Sequence, residues 1–260
     1  MRLASRPGPA YNTGMTATRR ADIALVERGF YESRARARAA IEAGLVEIAG
    51  ARVLKASQPV ADDAAVTRAD APHPYVSRGG VKLAAALDLF GFDPGGRLCL
   101  DIGASTGGFT QVLLQRGAAR VHAVDVGRGQ LHASLAGDPR VVSREGFDAR
   151  ALTAGDFETP PQAIVCDASF ISLTLILPIA LPLTAPGAFL AALVKPQFES
   201  QPHEVAKGVV RDACVRERAA ARVRGCVERL GWRVVGVAPS PISGGDGNIE
   251  FLLGAVKETA

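Results

Sequence analysis

Residues 98–110 read LCLDIGASTGGFT, and the interpretation of this stretch decides the fold. Leu98 to Leu100 form a short apolar run that reads as a buried strand, and the glycines that follow turn the chain into a helix. Gly103 and Gly107 let the backbone bend and come close to a ligand, while Gly108 permits tight packing at the helix start. The spacing is not GxGxxG, and neither the Walker lysine nor its Ser/Thr is present. Asp101 ends the first strand, and Asp125 ends the next, ARVHAVD. A carboxylate at that second position takes both ribose hydroxyls of a nucleoside.

Outward from this turn, apolar runs alternate with helical stretches from Val81 onward, the pattern of an α/β layer fold with a largely parallel sheet. Four segments follow: 1–18, a disordered or mis-called extension with Met15 as an alternative start; 19–66, a basic, alanine-rich module; 67–80, a linker; and 81–257, the large domain. The 260 residues are 48% apolar and 22% charged with a net charge of +4, a globular composition leaning weakly toward a polyanionic partner. Four separated cysteines form no CxxC pair, which argues against a zinc site or a disulfide framework. None of the four histidines joins a ligand cluster, so no metal is expected. No signal peptide is recognised. Residues 171–194 carry no charge and are long enough to span a bilayer, but Pro178, Pro182 and Pro186-Gly187 divide them into a short helix, a turn and a buried strand.

In the basic module Asp22 is expected to cap a helix ended by Gly29. Ser33 caps a second helix, closed by Gly44, with Ala37, Ala40 and Ile41 on one face. Basic residues outnumber acids eight to five over residues 19–55. Arginines gathered at a helix start suit phosphate contacts. RADIALVERGFYESRARARAAIEAGLVEIAGARVLK (20–55) resembles an S4 domain, a small RNA-binding module. It departs at Ala21, where leucine is usual, and at Ala49, where asparagine commonly precedes the turn glycine. The resemblance implies RNA contacts from Arg20, Arg34, Arg36, Arg38, Arg52 and Lys55, with Arg78 on the bridge to the next domain.

DIGASTGGF resembles motif I of S-adenosylmethionine-dependent methyltransferases. This implies a Rossmann-like seven-stranded sheet with helices on both faces, and S-adenosylmethionine as cofactor. Asp101, Gly103, Ser105, Gly107, Gly108 and Phe109 would surround its methionine part, Asp125 and Val126 its ribose, and Asp148 its adenine. Asp148 stands where relatives more often carry asparagine, and Phe147 where threonine is usual.

The strand QAIVCDASF ends on Asp167, which points into the crevice at the carboxyl end of a parallel sheet. DASF lacks the Pro-Pro-aromatic pattern of exocyclic-amine methyltransferases. Cys166 precedes the aspartate inside the strand and faces the other way, which removes carbon-5 chemistry. FLAALVKPQ (189–197) ends a buried strand on a cation, Lys195. Lys82 follows HPYVSRGGV. Glu250 lies in GNIEFLL, where Asn248 and Glu250 are expected to face the active side of a strand while Ile249 and Phe251 face the core. Together Lys82, Asp167, Lys195 and Glu250 resemble the Lys-Asp-Lys-Glu tetrad of FtsJ-like ribose 2′-O-methyltransferases. HPYVSRGG, LVKPQFE, KGVVRD and GNIEFLL are similar to the TlyA/hemolysin A family of rRNA methyltransferases.

The resemblance implies methylation of a ribosomal RNA cytidine, in the large subunit ahead of the small, with Lys195 as general base or as a charged stabiliser of the alkoxide. It also implies a link to capreomycin susceptibility and a cytoplasmic location. No membrane association and no obligate protein partner are expected. The alternatives are a non-catalytic S4 RNA-binding protein, which could lose the tetrad, and a pore-forming hemolysin, which needs a membrane-ready segment. A nicotinamide dehydrogenase would need GxGxxG.

Overall fold

The computed structural model describes residues 18–258 apart from 32, 43, 69–73, 245 and 246. The expected N-terminal extension lies outside them except for Thr18, as does part of the expected linker. The chain divides into two compact units, residues 1–71 and 72–260.

The first unit contains β1 (Thr18–Arg20), α1 (Ala21–Glu27), α2 (Arg34–Glu42), β2 (Val46–Ile48), β3 (Ala51–Arg52), β4 (Pro59–Ala61) and β5 (Val66–Arg68). β1 pairs with β4, and β3-β2-β5 form a three-stranded sheet. Its core gathers Leu25 of α1, Ala37, Ala40 and Ile41 of α2, and Val46 and Ile48 of β2, so the helical spacing of the alanines reports a real buried face. Asp22 corrects the expected cap. Arg20 occupies the N-cap position with no side-chain cap bond, and Asp22 is wholly buried. Ser33 does serve α2, its Oγ accepting from the Arg36 amide at 3.3 Å.

The second unit contains α3 (Gly79–Phe90), β6 (Leu98–Ile102), α4 (Gly108–Gln115), β7 (Arg120–Asp125), α5 (Ala133–Ala136), β8 (Val141–Glu145), β9 (Ala163–Cys166), α6 (Leu173–Ala180), β10 (Phe189–Val194), α7 (Pro196–Glu199), α8 (Ala213–Arg229), β11 (Trp232–Pro239) and β12 (Phe251–Lys257). Its seven-stranded sheet runs β11-β12-β10-β9-β6-β7-β8. The block from β10 to β8 is parallel, and β12 is antiparallel to both neighbours. α3, α4 and Leu135 of α5 pack on one face, α6 and α8 on the other. Central strands buried on both faces explain the near-continuous apolar runs. Chain order reverses between β6 and β9, and a crevice opens at their carboxyl ends.

The uncharged run 171–194 becomes α6, a single 3₁₀ turn and β10, with β10 wholly buried. Among the described residues no helix is long and apolar enough to cross a membrane. Glu250 and Asn248 precede β12 and are not part of it. Both are buried, but Ile249 is 43% exposed, contrary to the expected alternation; an irregular segment carries no period-two constraint. Phe251 does pack against the core.

Candidate active site

The crevice is built first by the turn after β6. Gly103 has φ +81°, and a Cβ there would lie 3.0 Å from the backbone of Ala168. Only glycine allows the loops after β6 and β9 to approach so closely. Gly107 and Gly108 serve packing: a Cβ on Gly107 would strike Leu135 and Leu131, and one on Gly108 would strike Ser77 and the Gly80 amide. Phe109 is buried in the core beneath α3.

Asp101 shares the α4 face of β6 with Cys99, and Thr110 Oγ1 donates to its Oδ2 at 2.6 Å. Its Oδ1 is buried without a partner, and burial pushes this carboxyl up to about 7. It sits beneath the turn and does not line the cavity.

That cavity has a volume of about 580 Å³, within the range of small-molecule sites. Gly103, Ser105, Asp125, Val126, Gln130, Asp148 and Asp167 line it. Asp125 Oδ2 accepts from the Ser105 amide at 2.8 Å and Oδ1 from the Gly127 amide at 2.7 Å. Each oxygen keeps a lone pair for a further donor. Asp148 is instead engaged with Arg150, whose guanidinium reaches it at 2.6 Å and holds its carboxyl down at about 2. Arg144 lies over the Phe147 ring at 3.8 Å, fixing that wall.

The four expected catalytic residues form two ion pairs, that of Lys82 and Glu250 buried and that of Lys195 and Asp167 partly buried. Lys82 Nζ meets Glu250 Oε2 at 2.5 Å, and Lys195 Nζ lies 2.7 Å from Asp167 Oδ1. The second contact is charge proximity without hydrogen-bond alignment. The Lys195 amine donates to Ser169 Oγ at 2.7 Å and to the Asp167 carbonyl at 3.2 Å. Register explains the convergence. Val194 pairs with Phe251, so Lys195 and Glu250 lie one step beyond the same rung. Asp167 follows β9, the parallel neighbour of β10. α3 packs on β10 and β12, and a Cβ at Gly79 would lie 3.5 Å from Asp167 Oδ2. Cys166 is buried in the opposite core and burial pushes its thiol up to about 12, so it offers no thiolate nucleophile.

Ser169 and Phe170 escaped the sequence reading, and for Asn248 that reading gave a place but no partner. Ser169 touches Lys195, and its place two residues after Asp167 was the available signal. Phe170, 91% exposed at φ +64°, packs its ring against Phe198 at 5.1 Å. Asn248 anchors the KGVVRD loop, donating to the Gly208 carbonyl at 2.9 Å and accepting from the Val210 amide at 3.2 Å.

Chain topology, the Asp125 wall and the paired lysines and carboxylates agree with what two family models match: FtsJ-like methyltransferase over residues 75–257 and S4 domain over 19–66. The chain belongs to the FtsJ-like methyltransferase family. It is 46% identical over 236 residues to the 16S/23S rRNA (cytidine-2′-O)-methyltransferase TlyA of Mycobacterium tuberculosis, covering 90% of this chain and 88% of that one. It is 36% identical to the 23S rRNA (cytidine-2′-O)-methyltransferase TlyA of Campylobacter jejuni, over 70% and 71% of the two chains. A solved Streptococcus thermophilus structure bearing the name hemolysin superposes with a TM-score of 0.74 at 40% identity, covering 94% of this chain and 90% of that one.

In this FtsJ-like enzyme three arginines of the S4 unit are arranged around one anion. Arg20 and Arg34 bond Asp22 at 2.9 and 3.0 Å, and Arg38 approaches it at 3.8 Å. These bonds, that from Arg20 foremost, hold the Asp22 carboxyl well below the usual range. Three half-exposed guanidinium groups thus share one negative charge, leaving a net positive surface. Arg52 lies against Gly44, and Lys55 is exposed. Arg78, expected on the bridge, is tied by its guanidinium to the Ser243 carbonyl at 2.9 Å.

Proposed function

We propose that the protein transfers the methyl group of S-adenosylmethionine to the ribose 2′-oxygen of a cytidine in ribosomal RNA, with the large subunit as the first target. The observation that carries this reading is the pair of Lys–carboxylate contacts at the crevice, beside a cavity whose Asp125 oxygens keep free lone pairs. The names of the two TlyA relatives support the same substrate.

Asp125 fits the ribose hydroxyls of the cofactor, and Gly103, Ser105, Val126 and Gln130 line its remaining surface. When bound, S-adenosylmethionine supplies a methyl group made electrophilic by the sulfonium. The chain's own task is to hold the 2′-oxygen in line and take its proton. Lys195 accepts that proton at Nζ once its amine is neutral, and Ser169 Oγ and the Asp167 carbonyl orient the amine. Lys82, pinned by Glu250, adds positive charge where the oxygen becomes anionic. The half-exposed arginines of the S4 unit anchor the RNA by phosphate contacts.

Incubation with ribosomal subunits lacking the modification, followed by mapping of the methylated nucleotide, tests the substrate in both subunits. K195R is expected to lower methyl transfer by about 10²–10⁴-fold at neutral pH, because a guanidinium does not serve as base. Substantial K195R activity overturns the general-base role, and methylation of a matched DNA oligonucleotide overturns the 2′-hydroxyl target.

A further inference from the structure

The loop after Asp125, VGRGQL (126–131), supplies three residues to the cavity wall: Val126, Gly127 and Gln130. Two glycines make such a loop intrinsically loose, and its backbone amides need acceptors. They find them on Glu145. This residue ends β8, where it is the register partner of Asp125 across the β7–β8 ladder. Its Oε2 accepts from the Gly129 amide at 2.7 Å, and its Oε1 from the Gln130 and Leu131 amides at 2.7 and 3.0 Å. Asp125 takes the Gly127 amide from the same loop. Two carboxylates on one rung therefore collect four of the loop's amides.

We infer that Glu145 is a positioning residue for cofactor binding, holding the loop after Asp125 in its binding shape before the cofactor arrives. The inference rests on the reading that this cavity takes S-adenosylmethionine. The amides, Leu131's foremost, hold the Glu145 carboxyl below its ordinary range, so it stays an anionic acceptor near neutral pH. The Arg128 guanidinium lies against Gly146, the residue after Glu145, and the Gly146 amide donates to the Gly127 carbonyl at 2.7 Å. Loop and strand end thus exchange hydrogen bonds in both directions. Ordering the loop in advance lowers the entropy that binding must supply, so the effect belongs in cofactor affinity rather than in the chemical step.

The test is E145Q in the full chain. The amide keeps the size of the carboxylate but turns one acceptor into a donor, so at least one of the three bonds is lost. Calorimetric titration with S-adenosylmethionine and S-adenosylhomocysteine is expected to show both binding about tenfold or more weakly. At saturating cofactor, kcat should stay within about twofold of wild type, since no group touching the reacting atoms has changed. E145D, which keeps the charge with a shorter reach, should fall between and serves as well if E145Q folds poorly. Unchanged cofactor affinity in both variants overturns the inference. So does a fall of kcat at saturation that matches the loss of affinity, the mark of general unfolding. Wild-type protein that fails to bind either cofactor form would remove the cofactor reading of the cavity, and this inference with it.

Discussion

Asp101 has no exposed surface, one oxygen bonded to Thr110 and the other without a partner. Its carboxyl, ordinarily near 3.9 when unfolded, is pushed up to about 7 by burial first, with the Asp167 and Asp125 charges adding to it. A folded-state value above the unfolded one means the folded chain binds the extra proton. Its stabilising effect is complete below about pH 4 and is lost as pH rises through about 7. D101N removes this dependence while keeping an acceptor for Thr110. Denaturant titrations at pH 5 and 8 should show the variant gaining on wild type at the higher pH, by about 2–3 kcal/mol between the two. Equal pH slopes in the two proteins would show that Asp101 is ionised throughout. The strand-end position of Asp101 was legible in the sequence. Its place beneath the turn was not, because the side-chain direction of a strand residue is decided by which helix covers that face.

Among elements, the hairpin joining β2 to β3 carries an avoidable strain. Ile48 pairs with Ala51, and the two loop residues, Ala49 and Gly50, have φ of +52° and +75°. Two positive φ values define the mirror-image turn that suits a twisted hairpin, and asparagine tolerates the first position better than alanine. A49N should stabilise the first unit by about 0.5–1 kcal/mol, read as a rise in its unfolding midpoint. A lower midpoint would mean that the alanine methyl contributes packing worth more than the strain. The turn glycine was evident from sequence spacing, whereas the cost at Ala49 required the backbone angles. The same holds for Glu250. Its composition suggested a strand, but the segment before β12 is irregular, and it is the tertiary hydrogen bonds of Asn248 to the 208–210 loop that brace it.

For the whole molecule, each unit encloses its own core: Leu25, Ile41 and Val46 in the first, and the two sheet faces in the second. Deleting residues 1–66 should weaken RNA binding strongly and flatten its salt dependence, while cofactor affinity stays close to wild type. Equal RNA affinity before and after deletion would transfer the anchoring role to the second unit. The deletion reads a different quantity from E145Q, so the two experiments separate the RNA anchor from the cofactor wall.

The sequence by itself determined the α/β alternation and the glycine turn and singled out Asp125, Asp167 and Lys195, because strand ends and turns leave short-range marks: apolar runs, glycines and a charge where a buried strand should not end. Lys82 and Glu250 carry no such mark and were singled out by the resemblance to a family tetrad. Tertiary structure alone decided which lysine meets which carboxylate, since Lys82 and Glu250 are 168 residues apart and join only through α3 packing on β12. It also decided that Asp22 gathers arginines rather than capping a helix, and that Glu145 holds a loop. Those roles depend on backbone amides and neighbouring strands, and a hydrogen-bond acceptor carries no record in its own sequence of the donors that will reach it.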